Sequence, residues 1–206
     1  MNKKTIINAS LAIAIALCCA ILIFAFQSKT ASPDNTNESA VNNTLNIAGI
    51  GGAFSLTDTK GETVTDENLK GQYSLLFFGF TYCPAICPTE LQKITEAYIA
   101  LPKATQDRLK LYFITLDPER DTKEILKNYV ELFHPNLTGL YGSVEQIETI
   151  KKAFKVYGAK VPQGDSYTID HSSFIYLMGK DGKLLRIFKG SDKADFIKDE
   201  LEKIIL

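Results

Sequence analysis

Two cysteines, Cys83 and Cys87, stand four positions apart in the stretch GFTYCPAICP and are the side chains best suited to chemistry in this chain. The deprotonated sulfur of cysteine attacks disulfides and binds soft metal ions. The apolar, aromatic-rich run over 73–78 predicts a buried strand, and apolar residues at helical spacing predict a helix over 89–101. Because a helix N-terminus carries unpaired N–H groups and partial positive charge, this junction favours the thiolate.

The spacing of the two cysteines is compatible with a structural role, with thiol–disulfide chemistry or with metal binding. A plain disulfide or two buried thiols would need no particular neighbours. Pro84 and Pro88, however, suit the non-helical entry and the first turn of a helix, where no N–H donor is needed. Thioredoxin-type redox pairs have two intervening residues. Here three intervene, which loosens the pair and leaves room for an ion between the sulfurs.

The two histidines of the chain stand in different settings. His171 comes directly before a predicted strand, and in a thioredoxin-like sheet the segment that enters this strand approaches the cysteine loop. Two thiolates and one imidazole suit Cu(I), and with an added ligand they suit Cu(II) or Zn(II). A core histidine with satisfied ring nitrogens is the alternative for His171. His134 follows a predicted helix, where a cation near the C-terminus is the simpler interpretation.

The remaining pattern supplies the elements that must position these side chains. It predicts a hairpin over 54–65, a second central strand over 109–116, a helix after 122, a short strand over 137–140, a helix over 144–154, a loop or hairpin over 161–168, a hairpin over 173–188 and a terminal helix over 195–206. Crossover helices give parallel strand pairs and hairpins give antiparallel ones. The element order therefore predicts an α/β, thioredoxin-like domain with a central mixed sheet.

The stretch over 117–122, DPERDT, predicts a turn that leads into a helix. Asp121 followed by Glu124 is typical of a helix N-cap with an acidic residue three positions later. In the alternative interpretation, Arg120 holds a carboxylate in the core.

The N-terminal residues form a separate segment. Lys3 and Lys4 precede an apolar run over 6–26, which at about 1.5 Å per residue reaches about 30 Å, enough to span a bilayer. We expect residues 1–26 to be an uncleaved membrane anchor; a cleaved signal peptide and a lipid-modified cysteine are the alternatives. The two lysines predict a cytoplasmic N-terminus, which would place the rest on the non-cytoplasmic side, in the periplasm or its equivalent.

The composition changes after the apolar run. Residues 27–49 are rich in Asn, Ser and Thr and predict a flexible linker, followed by a globular domain over 50–206. The 206 residues carry a net charge of −1, from 23 basic and 24 acidic side chains, which does not indicate a nucleic-acid-binding surface.

Several motifs within residues 50–206 can be read together. They are Gly51-Gly52-x-Phe54-x-Leu56-x-Asp58, Phe78-Gly79-Phe80-Thr81-x-Cys83-Pro84-x-x-Cys87-Pro88, Asp117-Pro118-Glu119-Arg120-Asp121-Thr122, Asp170-His171-Ser172 and Tyr176-Leu177. This set resembles the Sco/SenC family of membrane-anchored copper proteins. The resemblance implies a thioredoxin-like fold, copper (Cu(I) or Cu(II)) held by Cys83, Cys87 and His171, and a role in assembling the CuA site of cytochrome c oxidase. It also implies two partners, the copper-site subunit of the oxidase and a copper donor protein.

Two positions depart from the family pattern. Tyr82 stands where many members have His, and Ala85 stands between the cysteines where many have Asp. Neither is one of the three expected ligands. The family includes both copper delivery and thiol–disulfide work, so a membrane-tethered thiol–disulfide reductase is the alternative function. In either case we expect Cys83 and Cys87 to form a redox-active pair that binds copper only as the dithiol.

Overall fold

The computed structural model describes residues 49–206. The predicted anchor over 1–26 and all but the last residue of the predicted linker over 27–49 lie outside the described residues. Within 49–206, no helix combines the length and apolar character needed to cross a membrane.

The described part of the chain alternates strands and helices. The strands are β1 (Ser55–Asp58), β2 (Thr63–Thr65), β3 (Tyr73–Gly79), β4 (Leu109–Thr115), β5 (Leu137–Tyr141), β6 (Gly158–Gln163), β7 (Ser166–His171), β8 (Ile175–Met178) and β9 (Leu184–Phe188). The helices are α1 (Ile86–Ile99), α2 (Lys103–Gln106), α3 (Lys123–Glu131), α4 (Val144–Phe154) and α5 (Ala194–Ile205), with a 3₁₀ turn over Asp66–Leu69.

Strands β3 and β4 lie at the centre of a seven-stranded sheet with the order β2-β1-β5-β4-β3-β8-β9. They are parallel neighbours from the pair Tyr73–Leu109 to the pair Gly79–Thr115, which confirms the predicted adjacency of the two strands. β5 continues the parallel set beside β4. Strands β1, β2, β8 and β9 join antiparallel, so the sheet is mixed as predicted.

Both faces of the central strands are buried, which explains why their sequences are almost uniformly apolar. Successive side chains of a strand point to opposite faces, so Phe77 and Phe78 enter different halves of the core. The Phe77 ring lies 6.1 Å from the ring of Phe113 in β4. The Phe78 ring lies 5.5 Å from that of Phe154 in α4. All four side chains are at most 1% exposed.

Strands β6 and β7 form a second, two-stranded sheet, which we call the ribbon. The sequence predicts a loop or hairpin over 161–168. In the structure these residues form the tip of a longer hairpin, which pairs Gly158 with His171 at its base. Gly164 has a φ of 60°, a left-handed conformation that a glycine adopts without strain at the turn. The ribbon therefore carries His171 as its last residue.

One predicted helix start and one predicted helix cap need correction. Helix α1 begins at Ile86 rather than at 89, because Pro88 fits into a first turn, where its missing N–H has no partner to lose. The N-cap of α3 is Thr122, whose hydroxyl accepts the Ile125 N–H at 3.3 Å, so the prediction that Asp121 caps this helix is wrong. The side chain of Asp121 is used elsewhere, as described below.

Candidate metal centre

The cysteine loop, residues 80–85, leaves β3 at Gly79 and enters α1. A Cβ atom on Gly79 would lie 2.5 Å from the Cys87 sulfur and 2.9 Å from the Phe113 ring. Real side chains do not approach so closely, so only a glycine at this position lets the sulfur of Cys87 lie against the end of the strand. The packing of β3 against α1 therefore sets the position of that sulfur.

The two sulfurs face each other at the start of α1. Cys83 is 9% exposed and Cys87 is fully buried. Both are free thiols. The backbone N–H of Cys87 donates to the Cys83 sulfur at 3.3 Å. The N–H of Cys83 donates to the Phe80 carbonyl at 3.2 Å, which closes the loop into a tight turn.

His171 reaches this pair from the end of the ribbon. Its Nε2 lies 3.5 Å from the Cys87 sulfur, and its Nδ1 lies 3.0 Å from the Ser172 carbonyl oxygen. Because a carbonyl oxygen only accepts, Nδ1 donates to it, and Nε2 is the ring nitrogen that faces the sulfurs. The ring of Phe80 packs edge-on against the imidazole, with 5.7 Å between ring centroids.

The ligand atoms of Cys83, Cys87 and His171 all lie within 4.8 Å of one another. Two sulfurs bound to one ion at about 2.3 Å each are at most about 4.6 Å apart, so side-chain adjustments alone would bring this trio around one metal. The structure thus brings together the three residues that the sequence singled out. The set of two sulfurs and one imidazole nitrogen fits a soft ion such as Cu(I).

The two thiols differ in pKa because their environments differ. The pKa of Cys83 falls to about 3, chiefly because the Cys87 thiol donates a hydrogen bond to its thiolate, with further help from His171 and the backbone N–H groups of Ala85 and Cys87. The pKa of Cys87 is raised, first by that hydrogen bond to Cys83 and then by burial. The expected thiolate is therefore found at Cys83, while Cys87 keeps its proton.

Hydrogen bonds to Asp121 connect the cysteine loop to strand β4. Its carboxylate is buried and accepts the Thr81 N–H at 3.1 Å, the Thr81 hydroxyl at 2.6 Å and the Thr115 hydroxyl at 2.5 Å. Burial raises the pKa of this carboxyl, and the three donors oppose the rise. Sequence reasoning missed this role because the bond to Thr81 spans 40 positions and has no local signal.

The alternative interpretation of Arg120 is the correct one. Its Nε donates at 2.5 Å to Asp117, whose carboxylate is fully buried. The stretch 117–122 is therefore more than a turn with a helix cap. The Asp121 carboxylate is hydrogen-bonded to the cysteine loop, and the Asp117 carboxylate pairs with Arg120.

His134 takes no part in this centre. The group of potential ligands found among residues 49–206 consists of Cys83, Cys87 and His171. The Nδ1 of His134 accepts the Asn136 N–H at 3.0 Å, and burial lowers the pKa of the ring. A ring nitrogen that accepts a backbone N–H carries no proton, so the expected cation at the end of α3 is replaced by a neutral imidazole.

The chain is similar to known proteins over the residues that form this domain. The family model described as SCO1/SenC matches residues 42–206, which is most of the chain. The chain belongs to the SCO1/SenC family. The chain is 48% identical over 142 residues to an SCO2-like protein of Rickettsia felis, covering 68% of this chain and 69% of the relative.

Solved structures of Sco proteins share the fold. A structure of Bradyrhizobium japonicum ScoI with copper bound aligns with a TM-score of 0.71 and 42% identity, covering 76% of this chain and 99% of that one. BsSco, described as having a disulfide switch and as a member of the Sco family of cytochrome c oxidase assembly proteins, aligns with a TM-score of 0.61 and 31% identity over 74% of this chain and 91% of its own. The mixed α/β fold and the central mixed sheet are thus those of the Sco proteins, consistent with the predicted thioredoxin-like fold.

The two departures from the Sco pattern lie on the outside of the site. The Tyr82 side chain is 55% exposed, and its ring lies 4.7 Å from the guanidinium carbon of Arg120. Ala85 is the N-cap residue of α1 and offers no side-chain acceptor to the first turn. The first turn does not need one, because the Cys87 N–H donates to the Cys83 sulfur and Pro88 has no N–H.

Proposed function

We propose that this Sco protein is a copper chaperone that binds one copper ion through Cys83, Cys87 and His171. The observation that carries the proposal is the convergence of two sulfurs and one imidazole nitrogen within 4.8 Å. The similarity to a Sco protein solved with copper bound supports copper as the ion. We further propose that the ion serves the CuA site of cytochrome c oxidase, with the copper-site subunit of the oxidase as recipient and a separate protein as copper donor.

The chain's own residues are suited to hold Cu(I) as cargo. Cys83 is already a thiolate, and because Nδ1 of His171 donates to the Ser172 carbonyl, Nε2 is the nitrogen that would bind the ion. Cys87 must release its proton, because a thiolate is the form that ligates. Two thiolates and one neutral imidazole then leave a soft, compact site with one net negative charge around a monovalent ion.

A Cu(I) titration under anaerobic conditions tests the proposal. The full-length chain carries Cys18→Ser and Cys19→Ser in every sample, so that Cys83 and Cys87 are the two remaining thiols. We expect saturation at one ion per chain, loss of binding in Cys83→Ser, and weaker binding in His171→Ala. Unsaturable uptake, or equal binding after Cys83→Ser, would reject a chaperone site at this position.

A thiol–disulfide reductase is the second candidate, because a thiolate lies directly beside a protonated thiol. The Cys83 thiolate would attack a disulfide of the target and expel one target thiolate. Cys87 would then lose its proton and attack the mixed disulfide. The products are a Cys83–Cys87 disulfide and two reduced cysteines on the target.

Removal of the imidazole separates the two candidates. Reduction of a disulfide peptide should survive His171→Ala if the cysteine pair alone is responsible, whereas tight copper binding should not. Copper uptake should also depend on prior treatment with a thiol reductant, because a disulfide has no thiolate to offer. Equal uptake before and after the reductant would contradict binding by the dithiol.

We also propose that residues 1–26 anchor the chain and that residues 27–49 tether the domain on the non-cytoplasmic side. Lys3 and Lys4 before the apolar run support this orientation. Protease added to sealed membrane vesicles of known orientation tests it. Digestion of the domain from the cytoplasmic face would overturn the proposed topology.

A further inference from the structure

The three proposed ligands come from two structural units. Cys83 and Cys87 follow β3 of the main sheet, whereas His171 ends the ribbon, whose strands pair only with each other. No ladder of backbone hydrogen bonds joins the ribbon to the main sheet within residues 49–206. The approach of the imidazole to the sulfurs therefore depends on other contacts between the two units.

Arg120 makes such contacts with both units at once. Its guanidinium carbon lies 3.8 Å from the centre of the Tyr167 ring on the ribbon and 4.7 Å from the centre of the Tyr82 ring in the cysteine loop. Its Nη1 also donates to the Tyr167 carbonyl at 2.9 Å. Tyr82 is adjacent to Cys83. Tyr167 precedes His171 by four positions on the same strand and so shares its face.

The guanidinium itself is held in place by Asp117. The carboxylate of Asp117 is fully buried, accepts Arg120 Nε at 2.5 Å, and accepts the Tyr167 hydroxyl at 2.8 Å. Asp117 thus fixes both the arginine and the tyrosine on which it stacks. A planar guanidinium can stack and donate in its own plane at the same time, which an ammonium group cannot do.

We propose that Arg120 is a positioning residue for the copper site, acting through the ribbon to hold His171 against the cysteine pair. This inference rests on the proposed copper binding. Arg120 does not touch the metal ligands. It joins the element that supplies the sulfurs to the element that supplies the nitrogen, and removing it should weaken the nitrogen ligand while leaving the two sulfurs in place.

The test compares copper-loaded full-length chains that carry Cys18→Ser and Cys19→Ser. We expect Arg120→Ala to lower Cu(I) affinity about 10- to 100-fold, the range typical for loss of a group that orients a ligand. X-ray absorption should show two sulfurs per copper in both proteins and a reduced nitrogen contribution in the variant. Arg120→Lys should resemble Arg120→Ala, because lysine keeps the charge without the planar group.

A double-mutant cycle shows whether Arg120 acts through the imidazole. In a His171→Ala background, Arg120→Ala should change the copper affinity by less than about twofold, because the nitrogen ligand is already gone. An equal loss in both backgrounds would mean that Arg120 only stabilises the fold. That result would overturn the inference.

Lys160 provides a matched control. Its ammonium nitrogen also lies over the Tyr167 ring, at 4.4 Å, but it pairs with Glu119 at 2.6 Å and does not stack on Tyr82. Lys160→Ala should leave the affinity and the nitrogen contribution as in the unsubstituted chain. If it matched Arg120→Ala, the bridge to the cysteine loop would have no special role.

Two further comparisons keep the outcomes distinct. Arg120→Ala leaves the buried Asp117 charge unpaired. A double variant, Arg120→Ala with Asp117→Asn, removes that charge and keeps an acceptor for Tyr167. This double variant should still show the reduced nitrogen contribution. Failure of the unsubstituted chain to bind copper would refute the proposed function, whereas normal binding with full nitrogen ligation in both arginine variants would refute this inference alone.

Discussion

The cysteine loop is built into the main sheet, whereas the ribbon that carries His171 forms a sheet of its own. The loop follows the buried strand β3, and the Leu116 N–H donates to the Gly79 carbonyl at 2.7 Å where the loop begins. The ribbon is joined to the loop by side chains, among them the stack of Arg120 between Tyr82 and Tyr167 and the contact of Phe80 with His171. Folding of the core therefore fixes the sulfurs, while the position of the imidazole also depends on side-chain contacts between the ribbon and the loop.

The largest expected effect is on the loop side, at Gly79. Gly79→Ala places a methyl group 2.5 Å from the Cys87 sulfur, so the sulfur and the Phe113 ring must move. We expect a loss of about 3 kcal/mol in the free energy of unfolding, from overpacking of a buried site, together with weaker copper binding. Denaturant unfolding of the full-length chain measures the first and Cu(I) titration the second.

A glycine on the ribbon side is the control for that prediction. A Cβ on Gly158, which pairs with His171, would meet Leu116 at 3.4 Å, an ordinary contact distance. Gly158→Ala should therefore change the free energy of unfolding by no more than about 0.5 kcal/mol. Equal losses at the two glycines would remove the proposed difference between a rigid loop and an adaptable ribbon.

The next effect concerns the bond between the loop and β4. Asp121→Ala removes the acceptor for the Thr81 N–H and for the hydroxyls of Thr81 and Thr115. Buried donors left without partners should lower the free energy of unfolding by about 2 kcal/mol. Thermal unfolding measures the loss, with the exposed Asp165→Ala as a control that should be neutral. A neutral Asp121→Ala would show that the loop is held without this carboxylate.

The pH dependence of the cysteine pair tests whether the cysteine loop or the ribbon controls the thiolate. The folded pKa of Cys83, about 3, lies below its ordinary value of 9.0, so its thiolate stabilises the fold fully above pH 9 and progressively less as the pH falls toward 3. The ultraviolet absorbance of the thiolate should follow a titration with its midpoint near 3. In the unsubstituted chain the absorbance should persist at mildly acid pH.

Variants on each side sharpen that comparison. The hydrogen bond from Cys87 is the largest cause of the low Cys83 pKa, and the one from His171 is smaller. Cys87→Ala should therefore raise the midpoint more than His171→Ala does. The reverse order would mean that the ribbon, rather than the loop, controls the thiolate.

The smallest expected effect is at Ala85, the N-cap of α1. The Cys87 N–H already donates to the Cys83 sulfur and Pro88 has no N–H, so Ala85→Asp gains no cap and should change the free energy of unfolding by no more than about 0.5 kcal/mol. Ala85→Asn is the uncharged control and should be equally neutral in denaturant unfolding. A gain of about 1 kcal/mol with both substitutions would show that the first turn has a free donor after all.

The elements with strong local signals were predictable from the sequence. Helix α4 has the predicted bounds, 144–154, because Ser143 and Gln146 form a capping box at its start and its apolar face is regular. Strands β3 and β4 are mostly apolar, as expected for strands buried on both faces. The short helix α2, of four residues, lies outside the predicted pattern because it is too short to show a period.

The residues of the site also fall into two groups, those that the sequence predicts and those whose roles only the fold shows. Cys83 and Cys87 could be placed at a strand–helix junction from residues adjacent in the chain, and His171 followed from its position before β8 together with the family resemblance. Which cysteine holds the thiolate, and what Arg120 and Asp121 do, was decided only by the tertiary structure. The contacts of Asp121 with Thr81 and of Arg120 with Tyr167 join residues 40 and 47 positions apart, and no local pattern in a sequence encodes such a distance across the fold. The thiolate depends mainly on Cys87, only four positions away, whose sulfur reaches Cys83 because of the way the loop folds.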